Sequence, residues 1–397
     1  MGSTVTNELT SCPACAGTTL TAFYEVADVP VHSCLMLDNP EEAKAFPRGD
    51  VKLAQCEDCG FITNLLFDPQ WSTYAPNYED QQSFSPTFNG FAGDLARGLI
   101  DRYDIHDKTL VEVGCSKGDF LALMCELGNN RGVGIDPSAV AGRVKTTAAD
   151  RLRFINDYYG DEHTDIPADF IYTRHTLEHV QPVRDFTALI RKAATQGSPV
   201  PVMIEIPDMM RVLETAAFED IYYEHCSYFT PGTLARLARK VGFDLLDLRL
   251  EYDNQYLVLE ARPGPLSGKT LAIEEDVAAT KAMVQTFLSR IEGKLSGWKT
   301  RIKDARQRGE KIAVWGSGSK CVAFLTTLGM VDQIDMVVDI NPNRHGKYAP
   351  GLGVRIHDPN DLKQLQPEQV IIMNDIYEPE ITRDIQAMGL TPEIRTI

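Results

Sequence analysis

Two cysteine pairs, Cys12-x-x-Cys15 and Cys56-x-x-Cys59, constrain this chain more than any other feature. A two-residue gap lets both sulfurs of each knuckle reach one ion at about 2.3 Å. Four thiolates then close a tetrahedral zinc site and leave no position for water or substrate. The spacing therefore predicts a structural zinc that folds a small β-rich module over residues 1–70. Gly60 and the apolar run Phe61-Ile62-Thr63 follow the second pair, whereas a redox C-x-x-C opens a helix inside a βαβ unit.

At 397 residues the chain is too long for one ordinary core and calls for two or three domains. A formal charge of −17 repels phosphate backbones, which argues against a nucleic-acid partner. No apolar run approaches the roughly 20 residues of a membrane span, and MGSTVTNELTSC lacks the apolar core of a signal peptide. The remaining cysteines, Cys34, Cys115, Cys125, Cys226 and Cys321, stand singly, as suits a reducing compartment. The expectation is a cytoplasmic enzyme acting on a small molecule. An acidic multidomain chain of this kind is compatible with a monomer.

Between Phe67 and Asn89 the sequence is aromatic and polar, without a period, and reads as a substrate-facing connection. A helix is expected from Gly90 to Tyr103. From Thr109 onward strands and helices alternate, which predicts an α/β domain over 71–265 with a mostly parallel sheet. Val277, Met283, Val284, Phe287, Leu288, Ile291, Leu295, Trp298 and Ile302 recur at helical spacing and mark a helical connector over 266–309. A second Rossmann-like unit, 310–397, begins at KIAVWGSGSK.

The central unit carries the chemistry. A strand ends in Glu112-Val113-Gly114, a turn follows through Cys115, and Gly118 precedes a helix. Such a turn lets backbone approach a ligand and aims helix N–H groups at it. The next strand ends in Gly134-Ile135-Asp136, where a ribose diol needs a carboxylate, and Asn156-Asp157 follows the third strand. Ser116 replaces the middle glycine of a dinucleotide turn, which suits a cofactor without phosphate. After the fourth strand come Arg174, His175, Glu178 and His179, and downstream stands Tyr222-Tyr223-Glu224-His225. Phenol, carboxylate and imidazole this close can present a histidine as a base.

The order E-x-G-C-x-x-G, G-x-D, N-D resembles the class I methyltransferases that bind S-adenosylmethionine. That likeness implies Glu112, Gly114, Cys115, Gly118, Asp136, Asp157 and His175 as cofactor-binding residues. Nearly the whole chain is similar to the sugar C-methyltransferases that act on nucleotide-linked deoxysugars. The likeness rests on the four cysteines, Val113-Gly114-Cys115, Ile221-Tyr222-Tyr223-Glu224-His225 and Gly316-Ser317-Gly318-Ser319-Lys320. The resemblance implies a class I methyltransferase domain flanked by a zinc-binding N-terminal domain and a Rossmann-like C-terminal domain. It also implies a mechanism in which a 4-keto group acidifies the neighbouring C3–H and a histidine removes the proton. His225 is then the base, oriented by Glu224. Tyr222, Tyr78 and Tyr74 surround the sugar, His179 stands near the oxyanion, and Gly318 and Lys320 hold the substrate's diphosphate. Asp253-Asn254-Gln255-Tyr256 stands where that family carries a glycine-rich segment.

Two other readings stay open on sequence grounds. The same histidine serves O- or N-methylation, which needs only a deprotonated hydroxyl or a neutral amine. The GSGSK turn with Asp339 after the next strand also forms a partial dinucleotide pattern, as in an NAD-dependent oxidoreductase or epimerase. Arg344, His345, Lys347 and Tyr348 are candidate phosphate contacts in that unit.

Overall fold

A computed structural model describes residues 8–71, 73–140 and 142–397. The leader reading of residues 1–7 and the outermost part of the 1–70 module lie outside the described residues. Strands β1 (Leu20–Pro30), β2 (Arg48–Cys56) and β3 (Ile62–Asn64) form an antiparallel sheet. The register pairs Leu20 with Cys56, so the knuckle before β1 and the knuckle after β2 meet at one end of the hairpin.

The central sheet begins with parallel strands β4 (Thr109–Val113), β5 (Arg131–Ile135), β6 (Leu152–Ile155), β7 (Phe170–Arg174) and β8 (Val202–Pro207). Strand β9 (Ser227–Tyr228) leaves this domain and pairs with β3. The boundary at residue 70 therefore divides the sequence but not the first sheet, whose fourth strand comes from the central domain. Strands β10 (Phe243–Glu251) and β11 (Tyr256–Pro263) complete the order β10-β11-β8-β7-β4-β5-β6, with β11 antiparallel to both neighbours. The carboxyl ends of β4, β5 and β7 open together, where α/β sheets place ligands.

The helix expected from Gly90 begins at Pro86, because the Ser85 side chain accepts the Phe88 N–H and proline fills the first turn. The connector helix spans Val277–Gln307, with Asp276 as its cap. It buries Val284, Phe287, Ile291, Trp298 and Ile302, whereas Leu288, expected in the stripe, is 39% exposed. One residue past Phe287 is a turn of about 100° around the helix, which carries Leu288 off the buried face. Phe287 packs edge-on against Phe23 and Tyr24 of β1, and Trp298 packs against Phe324. One helix thus joins the first domain to the last.

The last domain is a parallel sheet of β12 (Ile312–Trp315), β13 (Met336–Val338), β14 (Ile356–His357), β15 (Gln369–Ile372) and β16 (Glu393–Thr396), ordered β14-β13-β12-β15-β16. Gln255 and Asn374 exchange amide hydrogen bonds of 2.9 and 3.0 Å across the domain junction. Nearby, the Tyr252 hydroxyl donates to that of Tyr377 at 2.6 Å. Tyr252 and Gln255 therefore clamp the two domains together. Among the described residues, no helix is long and apolar enough to cross a membrane.

Candidate active site and metal centre

The four cysteine sulfurs converge. Cys12 Sγ lies 3.7 Å from Cys59 Sγ, Cys15 Sγ lies 3.6 Å from Cys56 Sγ, and all four lie within 4.8 Å of one another. A tetrahedron of thiolates around zinc has edges of about 3.8 Å, given bonds of about 2.3 Å. The donor set and its spacing fit the ion.

At the carboxyl edge of the central sheet, Gly114 N–H bonds to the Ile135 carbonyl at 2.8 Å and turns the chain away from β4. Gly114 has φ 72°, and a Cβ there would stand 2.0 Å from Thr176 Oγ1. Gly118 has φ 88°, and a Cβ there would stand 2.4 Å from the Phe154 ring. Asp136 steadies the turn, accepting Ser116 N–H at 2.8 Å on one oxygen and Ser138 N–H at 2.7 Å on the other.

In front of the turn lies a cavity of about 780 Å³ lined by Glu112, Gly114, Cys115, Asp136, Asp157 and His175. Gly118 lies off that wall and opens the helix Asp119–Gly128 behind it. Asn156 is turned away, with its amide on the Ala139 carbonyl, so Asp157 alone represents the Asn-Asp pair at the cavity. Burial lifts the Glu112 carboxyl to about 8 despite the nearby Arg174 guanidinium. The aspartates in the wall, Asp80, Asp119, Asp136 and Asp157, would repel a pyrophosphate, whereas they suit a cofactor that offers hydroxyls, an amine and positive charge.

A second cavity, of about 310 Å³, lies between the central and C-terminal domains and includes Tyr222, His225, Gly318, Lys320, Arg211 and Asp220 in its wall. The two cavities share Tyr78, Asp80, Gln81, Gln82, His175 and His179. His225 is buried, with Nε2 2.8 Å from the Tyr222 hydroxyl. Desolvation, reinforced by His179, holds its pKa well below the ordinary imidazole value, so the ring is neutral. The His179 ring lies 4.8 Å from that of His225, and its Nδ1 is 2.8 Å from the Tyr74 hydroxyl and 3.1 Å from the Glu224 carbonyl. Tyr74 also stands edge-on to Tyr78 at 5.0 Å. His175 behaves oppositely to His225. Burial alone would lower its pKa, but Glu178 and Glu205 overcome that and raise it to about 9. Its Nε2 lies 2.9 Å from Glu205.

The orienting role expected of Glu224 is corrected by the geometry. Its carboxylate accepts Ser33 N–H at 2.7 Å and lies 2.9 Å from His32 Nδ1. The chain turns through Tyr222 to His225, and the Glu224 side chain points into the first domain. Sequence reasoning missed His32, Asp80 and Gln82. His32 and Glu224 are far apart in the chain, so only the packing of the segment after β1 against the Tyr222–His225 turn pairs them. Gln82 had a weak signal in the polar run YEDQQS, which faces both cavities.

The C-terminal turn differs from its expectation as well. Arg344, a candidate phosphate contact, borders the second cavity but is buried and pairs with Asp339 at 3.2 Å. His345 Nε2 lies 2.7 Å from the Asp339 carbonyl, Lys347 pairs with Asp38, and Tyr348 pairs with Leu37. Lys320 does reach the cavity, 3.0 Å from Asp220, which also binds Arg211. Although burial would raise it, Lys320 and Arg211 hold the Asp220 carboxyl down at about 2.

Strand order and cofactor loops define a class I methyltransferase dependent on S-adenosylmethionine. Residues 89–248 match the family described as Methyltransferase domain, and residues 263–390 match C-methyltransferase C-terminal domain. The C-methyltransferase NovU of Streptomyces niveus is 25% identical over 299 residues, covering 71% of this chain and 70% of that protein. The two family models and this relative together support an S-adenosylmethionine-dependent C-methyltransferase. Among solved structures, a putative S-adenosylmethionine-dependent methyltransferase from Listeria monocytogenes is 12% identical, covering 44% of this chain and 100% of that one, with a TM-score of 0.33. The 1,6-didemethyltoxoflavin-N1-methyltransferase of Burkholderia thailandensis is 16% identical, covering 52% and 97%, with a TM-score of 0.33.

Proposed function

We propose that this C-methyltransferase acts on a nucleotide-linked keto-deoxysugar, with His225 as the base that enolises the sugar, and that the four cysteines hold a structural zinc. The observation that carries the reading is a buried, neutral imidazole beside the junction of a cofactor cavity and a second cavity. Carbon methylation needs an acidified C–H and a group able to take its proton, and a neutral histidine is suited to that step.

His225 accepts the proton from the carbon next to the ketone while the Tyr222 hydroxyl holds its ring. His179, bonded to Tyr74, and the cationic His175 stand where the enolate oxygen gathers charge, and oriented donors stabilise such charge most in a dry site. Tyr78 forms part of the wall at the junction. Glu112, Gly114, Cys115, Asp136 and Asp157 hold the cofactor, which supplies an electrophilic methyl group when bound. Holding acceptor carbon and donor in line removes much of the entropic cost of meeting.

Lys320 and Arg211 share the single carboxylate of Asp220, so the cluster retains one positive charge for a diphosphate, near the backbone of Gly318. The NAD reading loses its support here, because the Arg344 guanidinium already sits on Asp339, the carboxylate a ribose would require.

The test is proton exchange without methyl transfer. Incubated in heavy water with S-adenosylhomocysteine and a thymidine-diphospho-4-keto-deoxysugar, the protein is expected to exchange the proton next to the ketone, observed by NMR. His225→Ala should slow exchange at least about 100-fold with S-adenosylhomocysteine affinity unchanged. Equal exchange in both proteins removes His225 from the role of base.

A further inference from the structure

The reaction class fixes one change of charge at the cofactor site: the methyl donor carries a cationic sulfonium and the product is a neutral thioether. Among the described residues, Asp80 is the one carboxylate that lines both cavities, so it stands at the junction where the methyl group must pass. Its Oδ1 accepts the Ser116 hydroxyl at 2.6 Å, and no other hydrogen bond from a described side chain reaches the carboxylate.

Ser116 occupies the middle of the cofactor turn with φ 48°, a left-handed conformation that favours glycine. The serine kept there supplies the hydroxyl that aims Asp80. Lys117 secures the same segment, donating to the Pro76 carbonyl at 3.2 Å and to the Ser138 carbonyl at 2.7 Å. Gln81 and Ser83 both bond to Asp119, the first residue of the following helix. The carboxylate is thus fixed from the turn that holds the cofactor and not from the substrate side.

We propose that Asp80 is a charge-selective element of the cofactor site, favouring the cationic methyl donor over its neutral product. An oriented carboxylate in a partly dry cavity attracts a sulfonium more strongly than water does, and it offers a thioether nothing in return. Burial, with Asp136 adding to it, holds the Asp80 carboxyl above its usual range, a strain that a cation in the cavity would relieve. The other ionic groups of the junction are already matched, since His175 is paired with Glu205 and Glu178.

Asp80→Asn tests the assignment, because asparagine keeps the shape and can still accept from Ser116. Calorimetric titration of the full chain would compare S-adenosylmethionine, S-adenosylhomocysteine and sinefungin, which carries a protonated amine in place of the sulfonium. The expected result is a loss of about tenfold for both cationic ligands and less than about twofold for S-adenosylhomocysteine. An equal loss for all three overturns the proposal, because the effect then falls on the ammonium they share or on the fold. No loss for any overturns it too. Ser116→Ala, which keeps the charge but releases its aim, should reduce the preference for sinefungin over S-adenosylhomocysteine in the same direction. An unchanged ratio in that variant counts against the role given to the serine and to Asp80 alike.

Discussion

At the central sheet, Gly114 N–H bonds to the carbonyl of Ile135, the residue before Asp136, and Asp136 accepts Ser116 and Ser138 N–H groups. At the C-terminal sheet, Gly316 N–H bonds to the carbonyl of Val338, the residue before Asp339, and Asp339 accepts Ser317 and Asn341 N–H groups. A helix follows each turn, Asp119–Gly128 and Ser319–Leu328. One difference between the two is a side chain. Arg344 lies on Asp339 and Ser317 Oγ, each at 3.2 Å, and reaches the Glu79 carbonyl. Asp136 carries no such cation where it borders the cavity of about 780 Å³, whereas Asp339 and Arg344 together border the one of about 310 Å³. A glycine turn and a following acid specify how a βα loop closes, and the neighbouring side chains decide whether that loop is open to a ligand.

Removing Arg344 is the strongest way to break this contrast. Arg344→Leu leaves Asp339 buried without its cation, and loss of one partner of a buried pair costs about 3–5 kcal/mol, measured by denaturant unfolding at pH 7. The pH dependence has a definite sign. Burial by itself would raise the Asp339 carboxyl, but Arg344 and the turn N–H groups hold it below the ordinary value. A carboxyl depressed in the folded state contributes its stability above its unfolded pKa of about 3.9 and loses it as the pH falls through the folded value. In the variant the buried acid gains stability by protonation. The gap between the two proteins should therefore start to narrow above the unfolded pKa of about 3.9, where the variant's buried acid takes up its proton, and go on narrowing until the parent's does too. A constant gap from pH 7 to 3 would mean that Arg344 acts only by filling space.

The next effect in size belongs to the open turn. Gly118→Ala forces a φ of 88° on a residue with a Cβ placed 2.4 Å from the Phe154 ring. The expected cost is about 1–3 kcal/mol, with weakened binding of S-adenosylhomocysteine, read by thermal melting and calorimetry. Melting and affinity both within error of the parent would show that the turn adapts freely and that the comparison has no energetic content.

Much of this was legible before the fold was seen. The cysteine pairs, Gly114, Asp136 and the βα alternation are local patterns, each written within a few residues by backbone geometry, and they end where the sequence places them. Glu224 is the counter-example. Next to His225 in sequence, it read as that histidine's partner, yet its carboxylate lies against His32 and Ser33. No periodicity encodes a contact made by packing one domain on another. The surroundings of Arg344 were illegible for the same reason, since Asp339, the Glu79 carbonyl and Cys34 meet its guanidinium only through packing. Leu288 failed on a smaller scale, since helical spacing gives the stripe but not its width.

The smallest effect is the most discriminating. Gly318 stands before the second helix as Gly118 stands before the first, but its φ is −78° and its ψ is −163°, an extended conformation open to any residue. A Cβ there meets only Arg344 Nη1, at 3.3 Å, the end of a long side chain able to yield slightly. Gly318→Ala should therefore cost about 0.5 kcal/mol and leave S-adenosylhomocysteine affinity unchanged in the same melting and titration experiments. If the nucleotide of the substrate rests on the Gly318 backbone, the alanine should still raise the KM for the nucleotide sugar about threefold to tenfold, through close approach alone. A KM unchanged by the alanine would place the nucleotide away from this turn, leaving Lys320 and Arg211 as its contacts. A destabilisation as large as that of Gly118→Ala would instead show that the second turn, despite its extended glycine, is as sterically exacting as the first.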